Sequence, residues 1–379
     1  MSHVLGTDAT SGRRFLLLAL LACLGLAVFT AWLGFGIGGL NTTVAVDDIG
    51  EGVASLAAAL ACGWAAARAS DRRRLGWGFL AAAGLSWTAG EAAWTFYEVF
   101  RGQAVPFPSA ADLGFLMAVP FGVAGLLVLP HAPDRAATRA RSILDGAIIA
   151  LSLLFVVWVF VLGPVYAASG SSPVEQLLGL AYPAGDVVTA SVVLIIAGRA
   201  QGPDRFRFLL LLGGFLANAV ADSAFAYLTG AGIYTERGSV FDAAWVAGFG
   251  MIALAALWPD GLSWSGEEGS MRSWQVALPG AAFAAAAASA FVLAVTGHAL
   301  ATDLTVLMAG VGLLLVCSHL LSLGDAADLR RANSIAEAML RRLEAAPAEG
   351  PVRAIGSRDR DRKPVFDRLR EDPGRPASA

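Results

Sequence analysis

Ten apolar stretches, each about as long as a helix must be to cross a bilayer, follow one another between residues 15 and 323. A hydrocarbon core of ~30 Å takes about 20 apolar helical residues. Inside lipid the backbone must satisfy its own hydrogen bonds, which leaves helices or a closed barrel. The stretches fall at roughly 15–35, 49–67, 76–98, 112–130, 143–165, 177–198, 208–229, 243–259, 274–296 and 303–323. The second and ninth rely on Ala rather than on Leu, Ile or Phe, and such small residues suit close helix contacts in lipid. The first apolar run exceeds the ~7–15 residues of a signal-peptide core and no A-x-A site follows, so it reads as a retained helix. The expected fold is therefore all-α, a polytopic membrane helix bundle of about ten transmembrane helices.

The composition agrees with this class. Apolar residues make up 56% of the chain and charged ones 15%, against about 45–50% and about 25% in soluble domains. With a net charge of −3 and no basic face, a nucleic-acid partner is not expected. Cys23, Cys62 and Cys317 lie singly in apolar runs, and the four histidines are scattered, so neither a disulfide framework nor a metal site is expected. The chain contains no H-E-x-x-H, G-x-S-x-G or P-loop lysine. No enzymatic activity and no cofactor are implied.

Arginine placement sets the expected orientation, because cytoplasmic loops carry an excess of Lys and Arg. One set of connections holds Arg13 and Arg14, then Arg68 with Arg72 to Arg74, then Arg135, Arg139 and Arg141, then Arg199, Arg205 and Arg207, then Arg272. The opposite set holds only Arg101 and Arg237. The N terminus, residues 1–14, is accordingly expected inside, and ten spans return the C terminus to the same side. Arg330–Arg331 agrees with that. The expected location is the cytoplasmic (inner) membrane.

The sequence also repeats itself at a spacing of about 130 residues. Gly90-Glu91 near Trp94 and Tyr97 corresponds to Ala221-Asp222 near Phe225 and Tyr227. Pro108-Ser109-Ala110-Ala111-Asp112 corresponds to Gly238-Ser239-Val240-Phe241-Asp242, and the next helix ends at Leu129-Pro130 or Trp258-Pro259. The helix preceding each acidic helix carries an acid of its own, Glu51 or Asp186. Copies at about 15–130 and 143–259, with extra helices over 274–323, are expected to run parallel, four helices being an even number. Parallel copies are related by an axis along the membrane normal.

Ionisable groups within a span cost on the order of 2.5–3.5 kcal/mol at the helix centre and point to function by default. Glu91, Asp186 and Asp222, with Glu51 and Glu98, fall toward the outer half. With Trp87, Trp94, Tyr97, Tyr182 and Tyr227 they form a candidate outward-facing site, and carboxylates beside aromatic faces suit a cationic or polar ligand. The competing reading makes them structural. Asp112 and Asp242 follow loops and open helices, where cap acids belong, and Arg101 and Arg237 stand ready as ion-pair partners.

Past Leu323 the composition changes. Leu329, Ala332, Ala336, Met339 and Leu343 fall at spacings of three and four, giving a juxtamembrane helix over 324–345 with a short seam suited to a homodimer. Residues 346–379 mix five prolines with alternating Arg and Asp and read as a disordered cytoplasmic tail.

Gly90-Glu91 with Trp94 and Tyr97, Pro106-Phe107-Pro108-Ser109 with Asp112, Leu144-Asp145-Gly146, Tyr182-Pro183 with Gly185-Asp186, and the later Asp222 and Asp242 carry a resemblance. Residues 10–345 resemble the N-terminal multi-helix membrane input region of actinobacterial diguanylate cyclase/phosphodiesterase (GGDEF–EAL) signalling proteins. In that family the bundle leads into cytoplasmic domains that make or degrade cyclic di-GMP. Here neither a GG[DE]EF signature nor an E-A-L triplet occurs, so no catalytic residue carries over. The resemblance implies a non-enzymatic membrane sensor with the lipid bilayer as surroundings and a cytoplasmic signalling partner. A small-solute or ion transporter and a structural membrane scaffold are the alternatives.

Overall fold

Among the described residues of the computed structural model (4–129, 136–163, 172–199, 205–230, 239–259, 271–296 and 302–344) the backbone forms ten α-helices. These are α1 (Val4–Phe35), α2 (Leu40–Arg68), α3 (Asp71–Thr95), α4 (Ala110–Val128), α5 (Ala136–Val157), α6 (Pro173–Arg199), α7 (Arg205–Gly230), α8 (Ala243–Ala256), α9 (Met271–Val295) and α10 (Thr302–Glu344). Wider π-type turns, Phe96–Phe100 and Trp158–Leu162, continue α3 and α5.

Seven of these helices are long and apolar enough to cross a membrane: α1, α2, α4, α6, α7, α9 and the first part of α10. Leu144–Phe160 and Ala243–Ala256 are shorter apolar helices, and α3 belongs to neither group. The chain is thus an all-helical, multi-pass membrane protein. On α1 the apolar surface faces away from the protein, with Leu16, Leu20 and Leu24 each more than 60% exposed. Such a surface suits contact with lipid.

By its contacts the chain divides into two units, Met1–Leu323 and Gly324–Ala379. In the first, six helices close a ring in the order α2, α3, α4, α6, α7, α8 and back to α2. Trp77, Leu80, Trp87, Leu126, Val193, Leu211, Phe249 and Ile252 fill the ring as one continuous apolar core. Outside it, α1 packs on α8 and α2, while α5 packs on α6 and α9. Ser318 of α10 donates a hydrogen bond to Asp145 Oδ1 of α5.

Glycine sets the closest approach in the ring. A Cβ at Gly114 of α4 would stand 2.5 Å from the Gly90 nitrogen of α3, so only a missing side chain allows these backbones to touch. Ser86 Oγ donates to the Gly114 carbonyl at 2.7 Å across the same contact. Small residues of this kind replace the hydrophobic drive that is missing between helices in lipid.

The second unit, over its described residues, is helical through Glu344. An exposed Arg341–Glu337 pair, 3.4 Å apart, joins successive turns. Met339 of the expected seam is 61% exposed.

Several helix bounds differ from the sequence expectation, two of them in ways that matter for the site and the C-terminal segment. Apolar length starts the second stretch at residue 49, yet α2 begins at Leu40. The stretch Asn41 to Asp48 is too polar to count as membrane-spanning by itself, but Thr43, Asp47 and Asp48 are buried against the ring and are helical because of that packing. The ninth and tenth stretches keep their places, whereas α10 runs from Thr302 to Glu344 as one element, taking in both the stretch 303–323 and the helix expected beyond it. The tail 346–379 lies outside the described residues.

Candidate functional site

At the end of the ring where α2, α4, α6 and α8 begin, nine acidic side chains gather from α2, α3 and its π-type turn, α4, α6, α7 and the turn before α8. The first group is Asp47, Asp48 and Glu51, spaced so that successive helical turns bring them near one another on α2. All three are buried, with 6–8% of their surface exposed. Glu51 meets Glu91 of α3, which is 4% exposed and accepts a hydrogen bond from Trp87 Nε1 at 3.0 Å. Asp47 meets Asp242, the fully buried acid preceding α8. Asp47 Oδ1 and Asp48 Oδ2 have no hydrogen-bond donor among the described residues.

The second group occupies α6 and α7. Asp186 contacts Asp222, and Asp222 Oδ1 accepts from Trp245 Nε1 of α8 at 2.8 Å. Tyr182, one helical turn before Asp186, donates its hydroxyl to Asp112 Oδ1 at 2.6 Å. Asp186, Asp222, Tyr182, Asn218 and Thr189 form the polar wall of an interior cavity with about 70 Å³ open to water-sized groups. Trp87, Phe115, Phe215 and Phe249 form its aromatic wall, and the Trp87 ring packs at a tilt, 4.8 Å from Phe115 and 5.5 Å from Phe249. Asp186 Oδ2 and Asn218 Oδ1, both without accessible surface, lack a donor among the described residues. Asn218 is 9% exposed and its carbonyl oxygen lies against Gly248, where any Cβ would collide with it.

The two helix-opening turns are alike. Ser109 is the N-cap of α4. Its backbone N–H donates to Asp112 Oδ2 at 2.6 Å while its hydroxyl accepts from Ala111 N–H at 3.2 Å. Ahead of α8, Ser239 N–H donates to Asp242 Oδ2 and its hydroxyl accepts from Phe241 N–H at 3.2 Å. In the first turn, then, the cap residue is Ser109 rather than Asp112. The acid sits three positions on and completes a reciprocal capping box.

The residues named from the sequence are therefore divided rather than gathered into one pocket. Tyr182, Asp186 and Asp222 line the cavity together with Trp87. Glu91 belongs to the carboxyl group on α2. Trp94 donates to Glu98 Oε2 at 2.7 Å and packs its ring against Phe115 and Phe225. Tyr97 packs edge-on to its neighbour Phe96, and Tyr227 is 57% exposed. The guanidinium of Arg101, an expected ion-pair partner, lies over the Phe96 ring at 5.8 Å. Arg237 lies outside the described residues.

Asp47, Asp48, Asn218 and Trp245 join the site without having been expected from the sequence. For the two aspartates a signal exists: Asp47 and Glu51 are four positions apart, as are neighbours on one helical face. Starting that helix at residue 49 hides it. Asn218 lies four residues before Asp222 on α7, the same relation, and is equally readable. Nothing local marks Trp245, whose partner Asp222 is 23 residues away.

No family model, no curated protein and no solved structure matches the chain.

Proposed function

We propose that this protein is a non-enzymatic membrane sensor that receives a small polar ligand in the cavity between α3, α4, α6, α7 and α8. The observation that carries the reading is an interior cavity with a polar wall of Tyr182, Asp186, Thr189, Asn218 and Asp222 facing an aromatic wall.

In the full reading the chain crosses the cytoplasmic membrane ten times with both termini inside, and the carboxyl-rich end faces outward. Helices 1–4 and 5–8 are parallel copies, a view supported by the matching Ser109–Asp112 and Ser239–Asp242 turns. The resemblance to the membrane input region of GGDEF–EAL proteins gives the output its form. Ligand occupancy would change the pairing of 325–345 in a homodimer and so address a cytoplasmic signalling partner. A transporter is the second reading, favoured by a cavity lying between the two copies, where transporters with internal repeats place their substrates. A scaffold whose acids are purely structural is the third.

Cross-linking separates these readings. A cysteine replacing Met339, in a chain otherwise freed of cysteine, reports pairing of this segment in native membranes. A sensor predicts that Asp222→Asn changes the disulfide yield. An unchanged yield together with solute flux in proteoliposomes would select the transporter, and no change in either the scaffold.

A further inference from the structure

We propose that three acid–acid contacts at the carboxyl-rich end of the ring each hold a proton, carried by Glu51, Asp47 and Asp186, and that these protons tie α2 and α6 to their neighbours. The protons belong to the carboxyl pairs themselves, whether or not the cavity takes a ligand.

The contacts are Glu51 with Glu91 of α3, Asp47 with Asp242 ahead of α8, and Asp186 with Asp222 of α7. Two carboxylates brought together repel, and one proton between them turns the repulsion into a hydrogen bond. The surroundings of each pair say which partner carries it. Glu91 Oε1 accepts from Trp87 Nε1 at 3.0 Å, and Asp222 Oδ1 accepts from Trp245 Nε1 at 2.8 Å. Asp242 Oδ2 accepts from Ser239 N–H. Indole and backbone N–H groups only donate, and a donor aimed at a carboxyl group favours its charged form. Glu91, Asp222 and Asp242 are therefore the acceptors of their pairs, and the proton sits on the other acid.

An independent observation marks the same acids as proton carriers. Asp47 is 6% exposed, and Asp47 Oδ1 and Asp186 Oδ2 are buried with no hydrogen-bond donor among the described residues. A carboxylate so placed gives up its water without replacement, whereas a neutral acid brings its own donor. Glu91, Asp222 and Asp242 have no such oxygen. The charged groups facing the carriers are acids. Asp47 faces Asp242, Asp48 and Glu91, and Glu51 faces the same acids and Asp47. Asp48 faces Glu98, and Asp186 faces Asp222. Tyr182, a turn before Asp186, is bonded to Asp112 of α4. On the other elements packed against α2 and α6, Arg101 lies over Phe96, Asp145 is bonded to Ser318, and Arg207 donates to the Trp258 carbonyl.

In an unfolded chain carboxyl groups release their protons above about pH 4–5. The folded ring keeps three, so folding takes up protons and stability falls as pH rises. The unfolding constant should climb about tenfold per pH unit for each proton retained.

The test uses the full chain in lipid nanodiscs. Infrared spectroscopy at neutral pH reads the C=O stretch of protonated carboxyl groups, and thermal unfolding is followed from about pH 5 to about pH 9, above the ordinary carboxyl range. The expected results are a protonated-carboxyl band and a Tm that falls as the pH is raised. Glu51→Gln, Asp47→Asn and Asp186→Asn each replace the acid donor by an amide that donates at any pH. Each should remove about a third of the band and flatten the pH dependence of Tm. Asp71→Asn, at the exposed start of α3, should change neither. If one variant does not fold, the wild-type band and the other two decide. Absence of the band, or a Tm that is constant or rises with pH, would overturn the proposal. A band that survives all three substitutions would place the protons elsewhere and overturn it too.

Discussion

The α2–α3–α4 and α6–α7–α8 sides of the ring carry acids and aromatics at matching sequence spacings but with different side chains, and the cavity lies where those side chains differ. Glu91 and Asp222 stand 131 positions apart, and so do Trp87 and Asn218. Phe115 and Trp245 stand 130 apart. In the first half the indole that bonds the acid comes from the same helix, Trp87 to Glu91, and Phe115 fills in beside it. In the second half the indole has moved to the next helix, as Trp245 to Asp222, and the position it left holds the much smaller Asn218. Exchanging a Trp for an Asn on the ring interior leaves room, and the cavity lies there.

The capping acids show a second contrast. Each is received by the second helix of the opposite half: Asp112 by Tyr182 of α6, Asp242 by Asp47 of α2. Tyr182 and Asp47 are themselves 135 positions apart, as are Asp186 and Glu51. One junction is therefore a satisfied hydroxyl–carboxylate bond and the other a carboxyl–carboxyl contact with an oxygen left over. One side of the ring thus carries a closed structural joint and the other a joint with an oxygen left over.

The comparison breaks most decisively at the α3–α4 contact. Gly114→Val should remove folded protein altogether, a loss above about 4 kcal/mol, because the new side chain meets Gly90 backbone. Gly250→Val, where nothing lies within 4 Å of an added Cβ, should leave yield and Tm unchanged. Equal behaviour of the two in membrane expression and thermal unfolding would remove close approach as the basis of the ring.

At the junctions, Tyr182→Phe should cost about 1–3 kcal/mol, since Asp112 Oδ1 loses its donor in a buried setting. The reverse sign is expected at the other junction. Asp47→Asn turns a carboxyl–carboxyl contact into an amide donating to Asp242 and should stabilise the protein by about 1 kcal/mol. Denaturant titration in detergent measures both, and two losses of equal size would show that the junctions do not differ as described.

The smallest effect tests the likeness of the two turns rather than their difference. Ser109→Ala and Ser239→Ala should each cost about 0.5–1 kcal/mol, because each hydroxyl accepts one backbone N–H at 3.2 Å. A silent Ser239→Ala beside a costly Ser109→Ala would mean that the two turns are only superficially alike.

Much of this layout is legible in the amino-acid sequence. The all-helical membrane class follows from apolar stretches of bilayer length, since lipid leaves the backbone few other ways to satisfy itself. The correspondence of Glu91 with Asp222, and of the loop ending at Asp112 with that ending at Asp242, is visible as spacing. Apolar length reads every span by its average composition, and that is why it starts α2 at residue 49 rather than at Leu40. Asp47 and Asp48 are helical through burial against α3 and α8, which no local average reports.

What only the tertiary structure decided is which acids meet. Sequence places Glu91, Asp186 and Asp222 at one end of the bundle but does not separate Glu91, closed off by Trp87 and Glu51, from the two that line the cavity. Nor does it pair Asp222 with Trp245 or Asp112 with Tyr182, which lie 23 and 70 residues apart. Depth along a helix is a local property, counted in residues from its end. Facing across a six-helix ring depends on how each helix is rotated, and that rotation is set by glycine contacts and core packing far away in sequence.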